Sequence, residues 1–381
     1  MKARTLTSAL FALLAAATGM RAQTSPTTYV AFGDSITQGF GDDPARAEKG
    51  YPPRLEALLQ QRGQTVDVRN EGLAGETTGE GLSRIERVLA TGDDVLLLME
   101  GTNDIGLKTI SNETVAFNLS RIADKAVAQG LTVVHATVLP RLDTNYDSRN
   151  IITGAFNGEV RELAWSKERK LADPFEVFFH LTPNFGQLYF DRLHPTAAGY
   201  DLLARVFADA LTNVDVVPPV TGLVSPQNDT QRASPTAPIA IDLYDFGAGI
   251  DVANTRLVIN EQVVETPLTG GPRKLEIRYD PPQPWKGVVI VKLRSRDLAT
   301  PTPNQLDREV TQFVIDGTTF LAGDIDRNGR VDGTDLLAFA PHFGARRGES
   351  RFASFADLNV DDQIDGADLA LLAANFGKTS F

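Results

Sequence analysis

The chain contains no cysteine. That excludes a thiol nucleophile, a disulfide framework, a cysteine-based zinc site and lipid attachment at an N-terminal cysteine. Histidine is scarce, with 4 in 381 residues, so any histidine-dependent chemistry has few candidates. Basic charge is in deficit. Against 49 Asp and Glu stand 37 Lys and Arg, a net charge of −12, which would repel a nucleic-acid polyanion, and no local basic patch offsets it. Long apolar runs are missing too. In the first 22 residues Lys2 and Arg4 precede a run from Ala9 to Ala17, with small residues up to Ala22. This run falls short of the roughly 20 residues a bilayer requires, so residues 1–22 are expected to be a secretory signal peptide and not a membrane span. Export without cysteine fits a bacterial extracellular protein.

With 42% hydrophobic residues in a chain of this length, more than one core can be buried, and about two or three domains are expected. From residue 27 to 213, β-rich runs alternate with amphipathic helical stripes. Strands are placed at 28–32, 66–69, 95–99 and 131–139. Helical spacing links Leu55, Leu58 and Leu59, then Leu82, Ile85 and Leu89, then Val115, Leu119, Ile122 and Ala126. This is the pattern of an α/β three-layer sandwich with a mostly parallel sheet. The stretch from Pro140 to Asp191 is irregular and holds no clear strand. A helix from Ala197 to Leu211 ends the domain, and Pro218-Pro219 marks 214–219 as a linker. From 220 to 318 the pattern becomes all-β: Ile239, Ile241 and Leu243 alternate, as do Leu257 and Ile259, Leu275 and Ile277, and Val289, Val291 and Leu293. A sandwich of about seven strands resembling immunoglobulin-like modules accommodates this.

Residues 29–40, YVAFGDSITQGF, carry an apolar run that ends abruptly in Gly33-Asp34-Ser35-Ile36. A buried strand delivers a serine hydroxyl to the start of a helix in this way, which makes Ser35 the candidate nucleophile. Three further blocks follow. Asn70 to Thr78, NEGLAGETT, comes directly after a strand, and its Gly75 can turn a backbone N–H toward a ligand. Gly101-Thr102-Asn103-Asp104 follows the strand VLLLM. In Asp191-Arg192-Leu193-His194-Pro195, a tight turn brings the Asp191 carboxylate to Nδ1 of His194. All four blocks fall at the carboxyl edge of the sheet, where open α/β folds bind ligands.

Over about 185 residues these four blocks, in this order, resemble the SGNH (GDSL) hydrolases, a family of esterases and lipases with a flavodoxin-like layered fold. The resemblance implies Ser35 as nucleophile, His194 as general base and acid, and Asp191 as the group that orients and stabilises the imidazolium. It also implies an oxyanion hole made by the N–H groups of Ser35 and Gly75 with the Asn103 amide. The common lipase elbow G-x-S-x-G is absent. His135, His180 and His342 are read as packing residues. Asp34 and Asp104 are read as fixing their own turns, and Asp42, Asp43 and Arg46 as a solvated loop.

Residues 321–381 hold an internal repeat of period 33: GDIDRNGRVDGTDLLAFAPHFG from Gly323 matches ADLNVDDQIDGADLALLAANFG from Ala356. Asp324, Asp326, Asn328, Asp332 and Asp335 occupy positions 1, 3, 5, 9 and 12 of a calcium loop of EF-hand type, with Gly329 at 6 and the Arg330 carbonyl at 7. The second loop offers Asp357, Asn359, Asp361, Asp365 and Asp368, with the Gln363 carbonyl at 7 and Asp362 replacing the glycine. The duplicated loop, each followed by a short apolar helix, forms a small α-helical unit that resembles a dockerin. The resemblance implies structural Ca2+ and docking onto a cohesin-type scaffold protein; Gly333-Thr334 and Gly366-Ala367 stand at the recognition positions. A calcium-stabilised cap or a self-association module is the alternative.

The combined expectation is a secreted serine esterase needing no cofactor for catalysis, with a docking module that suits an insoluble substrate such as acetylated xylan or pectin. A lipid or lysophospholipid esterase remains open. So does a non-catalytic glycan-binding or scaffold-docking protein, for which Tyr279 and Trp285 would supply stacking surfaces.

Overall fold

The computed structural model describes residues 25–107, 110–142, 146–315, 321–326, 329–346, 351–359 and 363–379. The expected signal peptide, Asn328 and Asp361 lie outside these. The N-terminal part runs β1 (Thr27–Gly33), α1 (Ser35–Gln38), α2 (Pro52–Gln61), β2 (Val66–Gly72), α3 (Thr78–Leu89), β3 (Val95–Met99), α4 (Thr102–Leu107), α5 (Asn112–Ala128), β4 (Thr132–Ala136), α6 (Tyr146–Ser166), β5 (Lys170–Ala172), α7 (Pro174–Glu176) and α8 (Ala197–Thr212). Its sheet has the order β2-β1-β3-β4-β5, and every pairing is parallel.

Residue alternation in β1 explains the three layers. Tyr29 and Ala31 face a core with Leu55, Leu59, Leu203 and Phe207 from α2 and α8. Val30 and Phe32 face a second core with Ile85, Leu119, Ile122 and Phe156 from α3, α5 and α6. Because both faces are covered, the central strands β1 and β3 are near-continuous apolar runs, as buried parallel strands require, whereas the edge strand β2, VDVRNEG, alternates. Register places Gly33 opposite both Gly72 and Met99, so the chain leaves β1, β2 and β3 at one rim.

The segment from Pro140 to Asp191 is not irregular. It contains the 21-residue helix α6 and the short strand β5. Phe156, Val160 and Ala164 are fully buried at four-residue spacing, but so are Thr153 and Asn157, and Arg161 is nearly so. The polar side chains interrupt the apolar stripe. Asn157 holds its place by bonding the backbone N–H and carbonyl of Val138 at 2.9 and 3.0 Å.

Nine strands follow: β6 (Val220–Ser225), β7 (Thr230–Ala233), β8 (Ile239–Tyr244), β9 (Arg256–Ile259), β10 (Gln262–Val264), β11 (Leu268–Gly270), β12 (Lys274–Tyr279), β13 (Val288–Arg296) and β14 (Gln305–Ile315). They form one sheet of order β10-β9-β13-β14-β7 and another of order β11-β12-β8-β6. The alternating residues expected to point inward fill the core shared by the two sheets. Trp285 and Tyr279 pack against this core and against each other, and the Trp285 Nε1–H donates to the Ala237 carbonyl at 2.8 Å. They are packing residues, not a free stacking platform.

The sandwich packs directly on α6. A Cβ at Gly158 would lie 2.6 Å from the Gly222 carbonyl oxygen, so glycine is what permits the approach. Arg161 donates to the Thr221 carbonyl at 2.6 Å and pairs with Asp173 at 2.8 Å; Arg308 of β14 donates to the buried Glu176 at 2.8 Å.

At the C-terminal end, α9 (Gly333–Phe339) and α10 (Gly366–Asn375) enclose a core of Val331, Phe339, Ala345, Ala356, Ile364 and Leu372 drawn from both repeats. Val331 exchanges backbone hydrogen bonds with Gly377 and Lys378, and Ile364 with Gly344 and Ala345. Each loop is thus clasped by the segment after a helix, so neither repeat completes its core alone.

Candidate active site

The strand-to-helix turn that carries Ser35 is built from absences of side chain. A Cβ on Gly33 would sit 2.2 Å from the Met99 carbonyl oxygen, and one on Gly72 would sit 2.1 Å from the Gln38 nitrogen. Glycine at both lets α1 settle against the ends of β2 and β3. Asp34 caps α1 by accepting from the Ile36 N–H at 2.8 Å, the local role expected of it. Burial raises its carboxyl to about 6.

Ser35 Oγ lies 2.8 Å from Nε2 of His194. His194 Nδ1 lies 2.8 Å from Asp191 Oδ2 and 3.0 Å from Oδ1. The 191–194 turn is closed by the His194 N–H donating to Asp191 Oδ1 at 2.8 Å, with Arg192 in the left-handed region at φ 71°. Although partial burial pushes the Asp191 carboxyl up, the backbone and imidazole N–H donors of His194 outweigh it and hold the group below the usual carboxylate range. It therefore stays ionised beside the imidazole. This chain of hydroxyl, imidazole and carboxylate can take a proton from Ser35 and return it to a leaving group.

Gly75 has φ +79° and open space where a side chain would stand. The Asn103 Nδ2 donates to the Glu76 carbonyl at 2.7 Å, which uses one of its two N–H bonds and fixes the amide beside the Gly75 loop. Asp104 bonds its own backbone N–H, as expected, and does more. Its carboxylate accepts from the Thr78 N–H and hydroxyl, both at 2.9 Å, and so ties the Asn103 segment to the start of α3.

Asp42 departs from the expected solvated loop. It is buried, paired with Arg54 Nη1 at 2.6 Å and Nη2 at 2.8 Å, and it accepts from the Gly50 N–H at 2.9 Å. Burial raises this carboxyl, but the hydrogen bonds from Arg54, Gly50 and Asp43 outweigh that and leave it lowered. The loop so anchored carries Phe40, whose ring lies 4.5 Å from that of His194, and Tyr200 donates to the Phe40 carbonyl at 2.7 Å. Phe190 packs edge-on against Phe40, with ring centroids 6.5 Å apart, and both phenylalanines are at least half exposed. Sequence reasoning missed this aromatic pair; Phe190 immediately precedes Asp191 and Phe40 closes the Ser35 block, and that adjacency was the available signal. A cavity of about 530 Å³ opens beside Gly75 and is lined by Leu73, Ala74, Glu76, Glu80, Ser83, Arg84 and Arg87.

Residues 31–202 match the model of the GDSL-like lipase/acylhydrolase family. An arylesterase of Vibrio mimicus is 34% identical over 180 residues, 47% of this chain and 85% of the relative. The chain belongs to the GDSL-like lipase/acylhydrolase family. The GDSL domain is also 30% identical over 178 residues to the esterase TesA of Pseudomonas aeruginosa, 46% of this chain and 83% of that protein. Among solved structures, that of TesA aligns with 49% of this chain and 99% of its own at 26% identity and a TM-score of 0.41. The protein is thereby a carboxylic ester hydrolase of this family. Residues 322–376 match a dockerin type I domain, a class of domain that binds calcium structurally and typically docks onto cohesin scaffold proteins. No helix among the described residues is long and apolar enough to cross a membrane.

In the dockerin domain, carboxylate oxygens of Asp324, Asp326 and Asp335 lie within 4.8 Å of one another. An all-oxygen set of this charge fits Ca2+. Asp335 is fully buried and also accepts from the N–H groups of Ile325, Asp326 and Asp332; Asp368 repeats the pattern with Leu358, Asn359 and Asp365. Asp332 and Asp365 stand apart as caps of α9 and α10. Arg330 and Gln363 bridge to Thr379 and Arg346.

Proposed function

We propose that this chain is an exported serine esterase that removes acetyl groups from an acetylated plant polysaccharide such as xylan or pectin, while its dockerin holds it on a scaffold. The observation that carries the catalytic assignment is the line Asp191–His194–Ser35, with 2.8 Å at each of its two contacts. Ser35 Oγ attacks the ester carbonyl as His194 Nε2 takes its proton, and Asp191 stabilises the imidazolium. The oxyanion forms against the N–H groups of Ser35 and Gly75 and the free N–H of Asn103. Collapse breaks the C–O bond to the sugar, and His194 protonates the departing alkoxide. Water, deprotonated by His194, then hydrolyses the acyl-Ser35 ester and regenerates the hydroxyl. Calcium has no part in these steps; held by the two dockerin loops, it would fold the docking module.

The polysaccharide reading is supported by the pairing of an esterase with a docking domain, because tethering to an insoluble substrate raises the effective concentration of enzyme at its surface. The test compares acetate release from acetylated xylan with hydrolysis of a long-chain aryl ester by the calcium-loaded protein. Turnover of xylan acetate over the long-chain ester is the expected result; the reverse preference would sink the polysaccharide assignment in favour of a lipid esterase.

A further inference from the structure

Where the chain leaves the hydrolase domain, three carboxylates from distant segments converge: Asp215 from the linker, Asp245 directly after β8 and Asp297 directly after β13. Each contributes an oxygen within 4.8 Å of the others. We propose that Asp215, Asp245 and Asp297 form a calcium site that fastens the linker to the β-sandwich.

The Asp245 side chain carries the argument. The residue is 3% exposed, and its Oδ1 accepts from the N–H groups of Gly247 and Gly249 at 2.9 and 2.8 Å. Its Oδ2 is shut off from water and has no hydrogen-bond partner. A buried carboxylate oxygen left in this state is costly without a cation or a proton. Asp297, fully buried, accepts from Ala299 and Asn304, and Asp215 Oδ2 accepts from the Ala248 N–H at 2.7 Å. Among the described residues no lysine or arginine pairs with any of the three. Backbone shape also favours the convergence: a Cβ on Gly247 would lie 2.3 Å from Asp215 Cγ, so only glycine lets the linker carboxylate lie against the 245–249 loop. Three carboxylates held this close repel one another. A divalent ion removes that repulsion. The donors are all oxygen, which selects a hard cation such as Ca2+.

The dockerin loops bind the same ion, so the experiment must separate the sites. Full-length protein is stripped with chelator, and bound Ca2+ is counted by equilibrium dialysis for wild type, Asp245→Asn, Asp215→Asn, and a chain with the dockerin loops disabled by Asp324→Ala and Asp357→Ala. Asp215, less buried than Asp245, is the second variant in case Asp245→Asn does not fold. The expected result is one equivalent fewer in each sandwich variant, one equivalent more than the dockerin loops retain in the disabled chain, and loss of that equivalent when Asp215→Asn is added to it. Wild-type stoichiometry in both sandwich variants, or no Ca2+ outside the dockerin loops, overturns the proposal.

Discussion

Asp42→Asn isolates the contribution of the buried ion pair that anchors the Phe40 loop. In the native protein the Arg54 guanidinium meets both oxygens of Asp42 at 2.6 and 2.8 Å, reaches Asp201 through Nε at 2.7 Å and bonds the Gly50 carbonyl at 2.8 Å. The substitution keeps the shape but removes the charge, leaving a buried guanidinium with only the more exposed Asp201. Breaking one side of a buried pair costs about 3–5 kcal/mol. For a domain of this size each kcal/mol lowers Tm by about 2–4 °C, so a fall of about 6–20 °C is expected. Calorimetry of the hydrolase transition reads it. The sign of the pH dependence follows from the lowered pKa: Asp42 contributes stability above the ordinary carboxylate range, near 4, and loses it as pH falls through its lower folded value. Wild type and variant should therefore converge in strong acid. Asp42→Leu combined with Arg54→Met should recover part of the loss, because no buried uncompensated charge remains and the Asp201 carboxylate left behind is more than half exposed. A Tm within about 2 °C of wild type for the single variant, by the same conversion, refutes the reasoning. A double variant no better than the single one would assign the cost to the Gly50 and Asp43 hydrogen bonds instead.

Asn103→Ala should lower kcat by about 10²–10³ with KM little changed, since an oxyanion donor acts in the transition state; a fall of less than about tenfold in steady-state kinetics would mean the amide only holds the Glu76 carbonyl. His135, buried and lowered to about 3 chiefly by burial and then by Arg169, is neutral in the folded state, so stability should fall as pH drops from about 6.5 toward 3. His135→Leu should flatten that part of a Tm-against-pH curve, and an unchanged slope would contradict the reading. Chelation of Ca2+ should unfold the dockerin core around Phe339 and Leu372, seen as loss of amide protection there, without abolishing ester hydrolysis. Retained protection would show that the core stands without metal.

Much of this organisation was legible in the sequence because it rests on local periodicity. The stripe Val115, Leu119, Ile122 and Ala126 is the buried face of α5, and Ile239, Ile241 and Leu243 are the inward face of β8. The relation of Asp191 to His194 was legible for a similar reason, as three residues of spacing fix it. Failures occurred where partners are remote or the pattern is mixed. Asp42 finds Arg54 12 residues away, and Asp104 finds Thr78 26 residues away; nothing local marks either pair. Helix α6 was hidden because Thr153, Asn157 and Arg161 share its buried face with Phe156 and Val160. The three residues of β5 are too few to show alternation. Convergence of Asp215, Asp245 and Asp297 depends on how the linker lies on the sandwich, which no single segment encodes.

The central claim is that Ser35 forms an acyl intermediate. Rapid mixing of an aryl acetate with wild type and Ser35→Ala, followed by mass analysis of the acid-quenched protein, tests it directly. The account predicts an acetyl group on the peptide containing Ser35 in wild type, with neither adduct nor turnover in the variant. Turnover that survives Ser35→Ala, or an acetyl group on a different residue during turnover, would contradict it.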